Sequence, residues 1–196
     1  LAANANIKVF ATGGVGGVHL DAEKTFDVSA DLQELAQTPV TVISAGPKAI
    51  LDLPKTLQFL ETLGVPVITF GQDELPAFWS RSSGLRSPLR MNSAEEIARS
   101  QLVREALSIP GGQLVANPIP AYAEIPFKEI LPIIEKAHLE AKKANISNKN
   151  LTPFLLEKIF HLTDGTSLEA NIELVKNNAF LACKVASSLI AEKSRL

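Results

Sequence analysis

Three short runs of apolar, mostly β-branched residues, at 7–11, 40–44 and 65–70, constrain the fold of this chain more than any other feature. Polar residues barely alternate with apolar ones inside them. Strands of that kind are covered on both faces, as in a parallel sheet flanked by helices, whereas a strand with one wet face alternates. Residues 114–116 are a shorter fourth candidate. The stretches between the runs carry helical spacing. Ser29 is placed to cap a helix over 31–37 that sets Leu32, Leu35 and Ala36 on one face. Residues 49–63 repeat Ile50, Leu53, Leu57, Leu60 and Leu63 on one face, and Gly64 ends the run. Pro54 either divides that run or sits in its early turns. Ser93-Ala94-Glu95-Glu96 is a capping box opening a helix to about residue 107.

From Pro126 onward the pattern is almost wholly helical: 126–145 with Pro132 as a bend point, 153–162, and a helix capped by Ser167 that runs to about residue 192. Strands alternating with helices, then helices alone, predict the α/β class with a mostly parallel sheet and a helical carboxy-terminal third. The glycine and proline clusters at 64–66 and 110–112 are turns, and no repeat or low-complexity tract divides the chain. Residues 1–196 therefore read as a single α/β domain.

Charge and composition narrow the function classes. The net charge is −2 and evenly mixed, so no basic stripe recommends a nucleic-acid partner. No apolar run reaches the ~18 residues that span a bilayer, and no membrane partner is expected. No signal-peptide pattern opens the sequence. Cys183 is the sole cysteine, which excludes an intrachain disulfide framework and a cysteine-based zinc site. A reducing, cytoplasmic compartment is the default expectation. The sequence opens on Leu1, and a strand pattern begins almost at once. The expectation is that an upstream portion of the domain, with any organellar targeting segment, lies outside it.

Three constellations could carry chemistry. The first, Phe10-Ala11-Thr12-Gly13-Gly14-Val15-Gly16-Gly17-Val18-His19, puts four glycines directly after a strand. Such a loop lets backbone approach a ligand and present N–H groups to an anion. It reads equally as a tight strand exit, and it matches neither the Walker nor the dinucleotide-binding spacing. His19 fits a structural role as well as a site role. The second, Phe26-Asp27-Val28-Ser29-Ala30-Asp31-Leu32, offers a helix start for a phosphate or hydroxyl. Asp27 and Asp31 are oxygen donors suited to Mg²⁺ or Mn²⁺, or simply acids complementing a helix dipole. The third, Val40 through Ile50, reads strand, tight turn, Lys48, helix. Ligands collect at the carboxyl ends of parallel strands, where Lys48 falls. A position beside a helix's positive end favours a free, nucleophilic amine, although a solvated lysine opening a helix accounts for the pattern too. All three constellations end at the same edge of the expected sheet, which points to a shared pocket.

These residues resemble the signature segments of the pseudouridine-5'-phosphate glycosidase family, the indigoidine synthase A-like proteins. Residues 10–19, 26–32 and 44–53 carry the resemblance. It continues through Val-Pro-Val-Ile at 65–68, Leu-Pro-Ala-Phe at 75–78 and Ala-Asn-Pro-Ile-Pro at 116–120. Leu-Thr-Pro-Phe-Leu-Leu at 151–156 and the Asn-rich stretch 167–179 complete it, in order and with the right spacing. It implies an α/β/α sandwich assembled as a homotrimer.

The resemblance also implies roles. Lys48 matches the lysine that forms a Schiff base with C1 of ring-opened ribose. Asp27 matches the carboxylate that holds a divalent ion, usually Mn²⁺, largely through waters. Ser29, Ala30 and Asp31 match a substrate-contacting stretch, and Thr12, His19 and Asn171 fall on segments bordering the pocket. The implied substrate is pseudouridine 5'-phosphate, cleaved reversibly to uracil and ribose 5-phosphate. Its glycosidic bond is C–C, so the paired carboxylates of ordinary glycosidases do not suffice. Opening the ribose and joining it to Lys48 as an iminium makes cleavage feasible.

Family members carry a glutamate proton donor and a phosphate-binding lysine on an upstream region that has no counterpart within residues 1–196. The expectation is that this chain alone releases no uracil. Pro47 stands where the family often has a small residue, and it restricts the turn while leaving Lys48 in place. Three alternatives stay open: a non-catalytic sugar-phosphate or nucleotide binder, an inactive truncated form, and an unrelated Schiff-base aldolase.

Overall fold

A computed structural model describes residues 1–147 and 150–194. The apolar runs become strands, but each is shorter than its pattern: β1 (Val9–Ala11), β2 (Thr41–Ser44) and β3 (Val67–Phe70). Two more follow, β4 (Leu89–Met91) and β5 (Gln113–Ala116). They form one sheet in the order β1-β2-β5-β3-β4, with every neighbouring pair parallel. The helices are α1 (Ala22–Thr25), α2 (Ala30–Gln37), α3 (Leu53–Thr62), α4 (Ala94–Ala106), α5 (Phe127–Lys143), α6 (Leu151–Leu162) and α7 (Thr166–Lys193).

Why the central strands lack alternation is visible in the packing. Val42, Val67, Leu114 and Ala116 point to one face, where they meet Leu32 and Leu35 of α2 and Leu60 of α3. Ile43, Ile68 and Val115 point to the other, against Ile97 and Leu102 of α4 and Leu181, Val185 and Leu189 of α7. Each residue of β5 is buried, as a strand with helices on both sides requires. A third cluster joins Ile130 and Ile134 of α5, Leu155 and Ile159 of α6 and Leu174 of α7 to the segment after β2. The layers are α/β/α with a helical carboxy-terminal region, as expected.

Several local expectations need correction. β1 lies at an edge of the sheet, and Phe10 is 47% exposed, so this strand is not covered on both faces. β4 escaped notice because it is an edge strand with an exposed arginine, Arg90, at its centre. The helix expected over 49–63 starts only at Leu53: Asp52 caps it by accepting from the Lys55 N–H, and Pro54 sits in the first turn. Residues 48–52 are turn, which removes the sequence-based argument that a helix terminus adjoins Lys48. Ser167 does not cap α7; that position belongs to Gly165 at φ 87°, and Ser167 lies buried inside the first turn. The Ser93 cap is present, its side chain accepting from the Glu96 N–H, but Glu96 returns the bond to the Asn92 N–H instead. Ser29 caps α2 as anticipated.

Candidate active site

Because the strands are parallel and in register, Ala11, Ser44 and Ala116 bring their loops out at one end of the sheet. The three sequence constellations meet there as a braid, with the glycine loop in the middle. On one side, the segment after β2 is laced to it: Ala45 N–H to Gly13 O (2.8 Å), Val15 N–H to Gly46 O (3.2 Å) and Lys48 N–H to Val15 O (3.1 Å). On the other side, Ser29 N–H donates to Gly17 O (2.9 Å) and His19 N–H to Asp27 O (3.0 Å). The backbone of Lys48 is thereby fixed against the loop that carries His19, and His19 against the loop that carries Asp27.

Gly16 shows why the loop needs glycine. A Cβ there would fall 2.1 Å from Ser29 Oγ, so the α2 cap can sit this close only against a residue without a side chain. The Gly16 N–H donates to Asp31 Oδ2 at 2.7 Å. One carboxylate oxygen of Asp31 is therefore a tie for the loop. The N–H of Val18 is taken by Thr56 Oγ1 (3.0 Å), a buried hydroxyl in α3. The amides of Val15, Gly16 and Val18 thus bind protein, and the loop is a packed junction first; those of Gly13, Gly14 and Gly17 have no partner among the described residues.

His19, Asp27 and Lys48 act on one another electrostatically. His19 is 8% exposed, and its Nδ1 is buried with no hydrogen-bond partner. Burial holds the imidazole below its usual range; the Asp27 carboxylate opposes that shift, and the Lys48 ammonium adds to it. Buried polar atoms are normally paired. An unpaired ring nitrogen among a carboxylate and an amine makes His19 a candidate for a site role. Lys48 and Asp27 are each half-buried.

The remaining expected residues border this centre to different degrees. Thr12 continues β1, with its N–H on Ile43 O at 3.0 Å. Asn171 of α7 reaches the loop: its Oδ1 lies 3.2 Å from where a Gly13 Cβ would stand. Ser29 is engaged as the α2 cap. Ala30 is exposed in the first turn of α2.

Two buried asparagines went unnoticed in the sequence. Asn178 of α7 is fully buried and donates to Thr12 O (2.8 Å) and Gly13 O (3.2 Å). Its Oδ1 accepts from Asn117 Nδ2 (3.1 Å), and the Asn117 N–H donates to Ser44 O (2.7 Å). The pair ties the ends of β1, β2 and β5 to α7. The available signal was periodicity, since Asn171, Leu174 and Asn178 share one helical face.

A divalent ion is tested by the donors at hand. Among the described residues no group of three His, Cys, Asp or Glu side chains could enclose a metal. Asp21 and Asp27 border a 140 Å³ hollow together with Thr25. Lys142 Nζ already holds Asp21 at 2.7 Å, which leaves Asp27 as the free carboxylate. Among the described residues, Asp27 is thus the carboxylate that could hold a divalent ion here, with waters as its other oxygen ligands.

The chain is similar to known proteins both in sequence and in fold. The sequence model of indigoidine synthase A like proteins matches residues 1–188. A relative from Paracoccus denitrificans, named pseudouridine-5'-phosphate glycosidase, is 63% identical over 94% of this chain and 61% of its own length. One of the same name from a Jannaschia species is 64% identical over 96% of this chain and 62% of its own. The chain thus spans about three fifths of the length of these relatives. Among solved structures, the prealnumycin C-glycosynthase AlnA in complex with ribulose 5-phosphate superimposes with a TM-score of 0.93. Its identity is 31%, over 100% of this chain and 64% of that protein. An indigoidine synthase A-like protein from Thermotoga maritima gives a TM-score of 0.85 at 37% identity, covering 94% of this chain and 60% of its own. By sequence and by fold, the chain belongs to the family of indigoidine synthase A like proteins.

Proposed function

We propose that this chain carries the Schiff-base centre of a pseudouridine-5'-phosphate glycosidase, with Lys48 as nucleophile. The observation that carries the reading is the braid itself: it holds Lys48 beside buried His19, whose Nδ1 is unpaired, with Asp27 opposite. The names of the relatives supply the substrate, and the sugar phosphate bound by AlnA supports its chemical class.

In this reading, the ribose ring opens as its C1–O4 bond breaks and O4 takes up a proton, and Lys48 Nζ, losing a proton, bonds to C1. Its lone pair then expels uracil: the electrons of the C–C bond pass to the uracil carbon, which takes up a proton, and a C=N bond forms between Lys48 and the sugar. Water adds to that iminium and releases ribose 5-phosphate, regenerating the amine. His19, kept neutral by its burial, lies within electrostatic reach of Lys48 and Asp27 and tunes the charge around the amine. Thr12, Ser29 and the helix residues Ala30, Asp31 and Asn171 stand in or beside these loops and would orient the substrate. Asp27 would hold a hydrated Mn²⁺ or similar ion, which would supply positive charge near the phosphate or base. The homotrimer implied by the family resemblance, and the cytoplasmic compartment expected from composition, belong to the same reading.

Trapping tests it. In the full-length protein, cyanoborohydride with ribose 5-phosphate should leave one reduced adduct on Lys48, read by peptide mass spectrometry, and Lys48→Ala should abolish it. An active enzyme with Lys48 unlabelled would overturn the mechanism.

A further inference from the structure

The hairpin at residues 77–80 carries a backbone outlier beside the candidate site. Phe78 is 4% exposed, yet its φ is +58°, a left-handed conformation that bulky side chains rarely adopt. Such a backbone persists only where its surroundings impose it, and such outliers cluster at functional sites. The surroundings here are specific. The Phe78 N–H donates to Ala45 O at 3.0 Å, and the Ala77 N–H donates across the turn to Ser80 O at 2.9 Å. Below it, Ser80 Oγ is anchored on Ile125 O (2.6 Å), and Trp79 Nε1 on Ser167 O (3.0 Å). The Phe78 ring meets Trp79 edge to face with centroids 4.9 Å apart.

The other end of the ring presses on the glycine loop. A Cβ on Gly14 would lie 2.6 Å from Phe78 Cδ2 and 2.7 Å from Cε2. Beside it, Gly46 has φ +87°, and a Cβ there would lie 2.5 Å from Pro76 O. The hairpin therefore packs against both strands of the braid at once, at Gly14 and at Ala45-Gly46. Lys48 follows two residues after Gly46, and its N–H is held by Val15, next to Gly14.

We infer that Phe78 is a positioning residue for Lys48: its strained backbone and its ring wedge the glycine loop and the 45–48 turn into the register that aims the amine. The proposal rests on the Schiff-base reading. Phe78 reaches Lys48 only through Gly14 and Ala45, so it shapes the approach of the amine and leaves sugar binding largely alone.

The test measures cyanoborohydride trapping of ribose 5-phosphate at Lys48 in the full-length protein, as a rate against sugar concentration. Phe78→Ala should lower the saturating rate about tenfold or more, with the half-saturating concentration changed less than about threefold, as loss of alignment alone predicts. Phe78→Leu, which keeps an apolar wedge against Gly14, should recover most of the rate. Gly14→Ala, which displaces the ring from the opposite side and leaves residue 78 unaltered, should reproduce the loss. Circular dichroism and Trp79 fluorescence establish the folded fraction to which each rate is normalised. Unchanged saturating rates in folded Phe78→Ala, or in Gly14→Ala should the first variant not fold, would overturn the positioning role. Absence of an adduct on Lys48 in the wild type would instead overturn the Schiff-base reading.

Discussion

Asn178→Ala should destabilise the protein far more than its small change in volume suggests. Asn178 is fully buried, donates to Thr12 O at 2.8 Å and Gly13 O at 3.2 Å, and accepts from Asn117 Nδ2 at 3.1 Å. Gly13 O keeps a second partner, the Ala45 N–H, so truncation orphans mainly Thr12 O and the Asn117 amide. Each buried polar group left unpaired costs about 1–3 kcal/mol, and the space vacated is close to that of one water, which places the sum near the lower half, about 3 kcal/mol. For a domain of this size that corresponds to a fall in Tm of about 6–12 °C. Urea unfolding followed by fluorescence suits the measurement. Trp79 is the sole tryptophan, is buried, and donates to Ser167 O in the first turn of α7. Asn117→Ala and the double variant complete a cycle, and the shared hydrogen bond should appear as a coupling of about 1 kcal/mol. A loss below about 1 kcal/mol for Asn178→Ala, or strict additivity with Asn117→Ala, would refute the view that this pair fastens α7 to the strand ends.

Two further outcomes follow from the site. Gly16→Ala should cost about 2–3 kcal/mol, because its Cβ would lie 2.1 Å from Ser29 Oγ and 2.5 Å from Ser29 Cβ, displacing the α2 cap. Adding Ser29→Gly should recover part of that loss in thermal melts and Ser29→Ala should not; equal behaviour of the two would dismiss the clash. Stability should also fall as pH drops below about 6.5, since burial holds both His19 and His138 below the usual imidazole range. The unfolded chain takes up protons in that window that the folded chain resists, so stability rises with pH through it. Melts at pH 5.5 and 7.5 should differ by less in His19→Gln than in the wild type, and an unaltered difference would remove His19 from the account.

The sequence by itself determined the class of fold. Unalternating runs such as Val42-Ile43 and Val67-Ile68 need cover on both faces, and the intervening helical spacing supplies it. The three constellations offered Lys48, Asp27 and His19 as candidates, and family resemblance attached roles to them. Local pattern misjudged the details that depend on neighbours distant in the chain. It read 49–63 as one helix because apolar spacing cannot register that Lys48 N–H and Asp52 N–H are drawn to Val15 O and Val18 O, holding this stretch as a turn. It missed β4, since an exposed edge strand has no apolar signature.

Only the tertiary structure decided what the glycines are for. In sequence the loop served equally as an anion cradle or a strand exit. In three dimensions Gly14 and Gly16 are where Phe78 and Ser29 close on the loop. The partners of those contacts lie far apart in sequence, as do Asn178 and Thr12, so no spacing rule reaches them. Periodicity reports which way a residue faces along its own helix or strand; what meets it there is settled by how the elements pack.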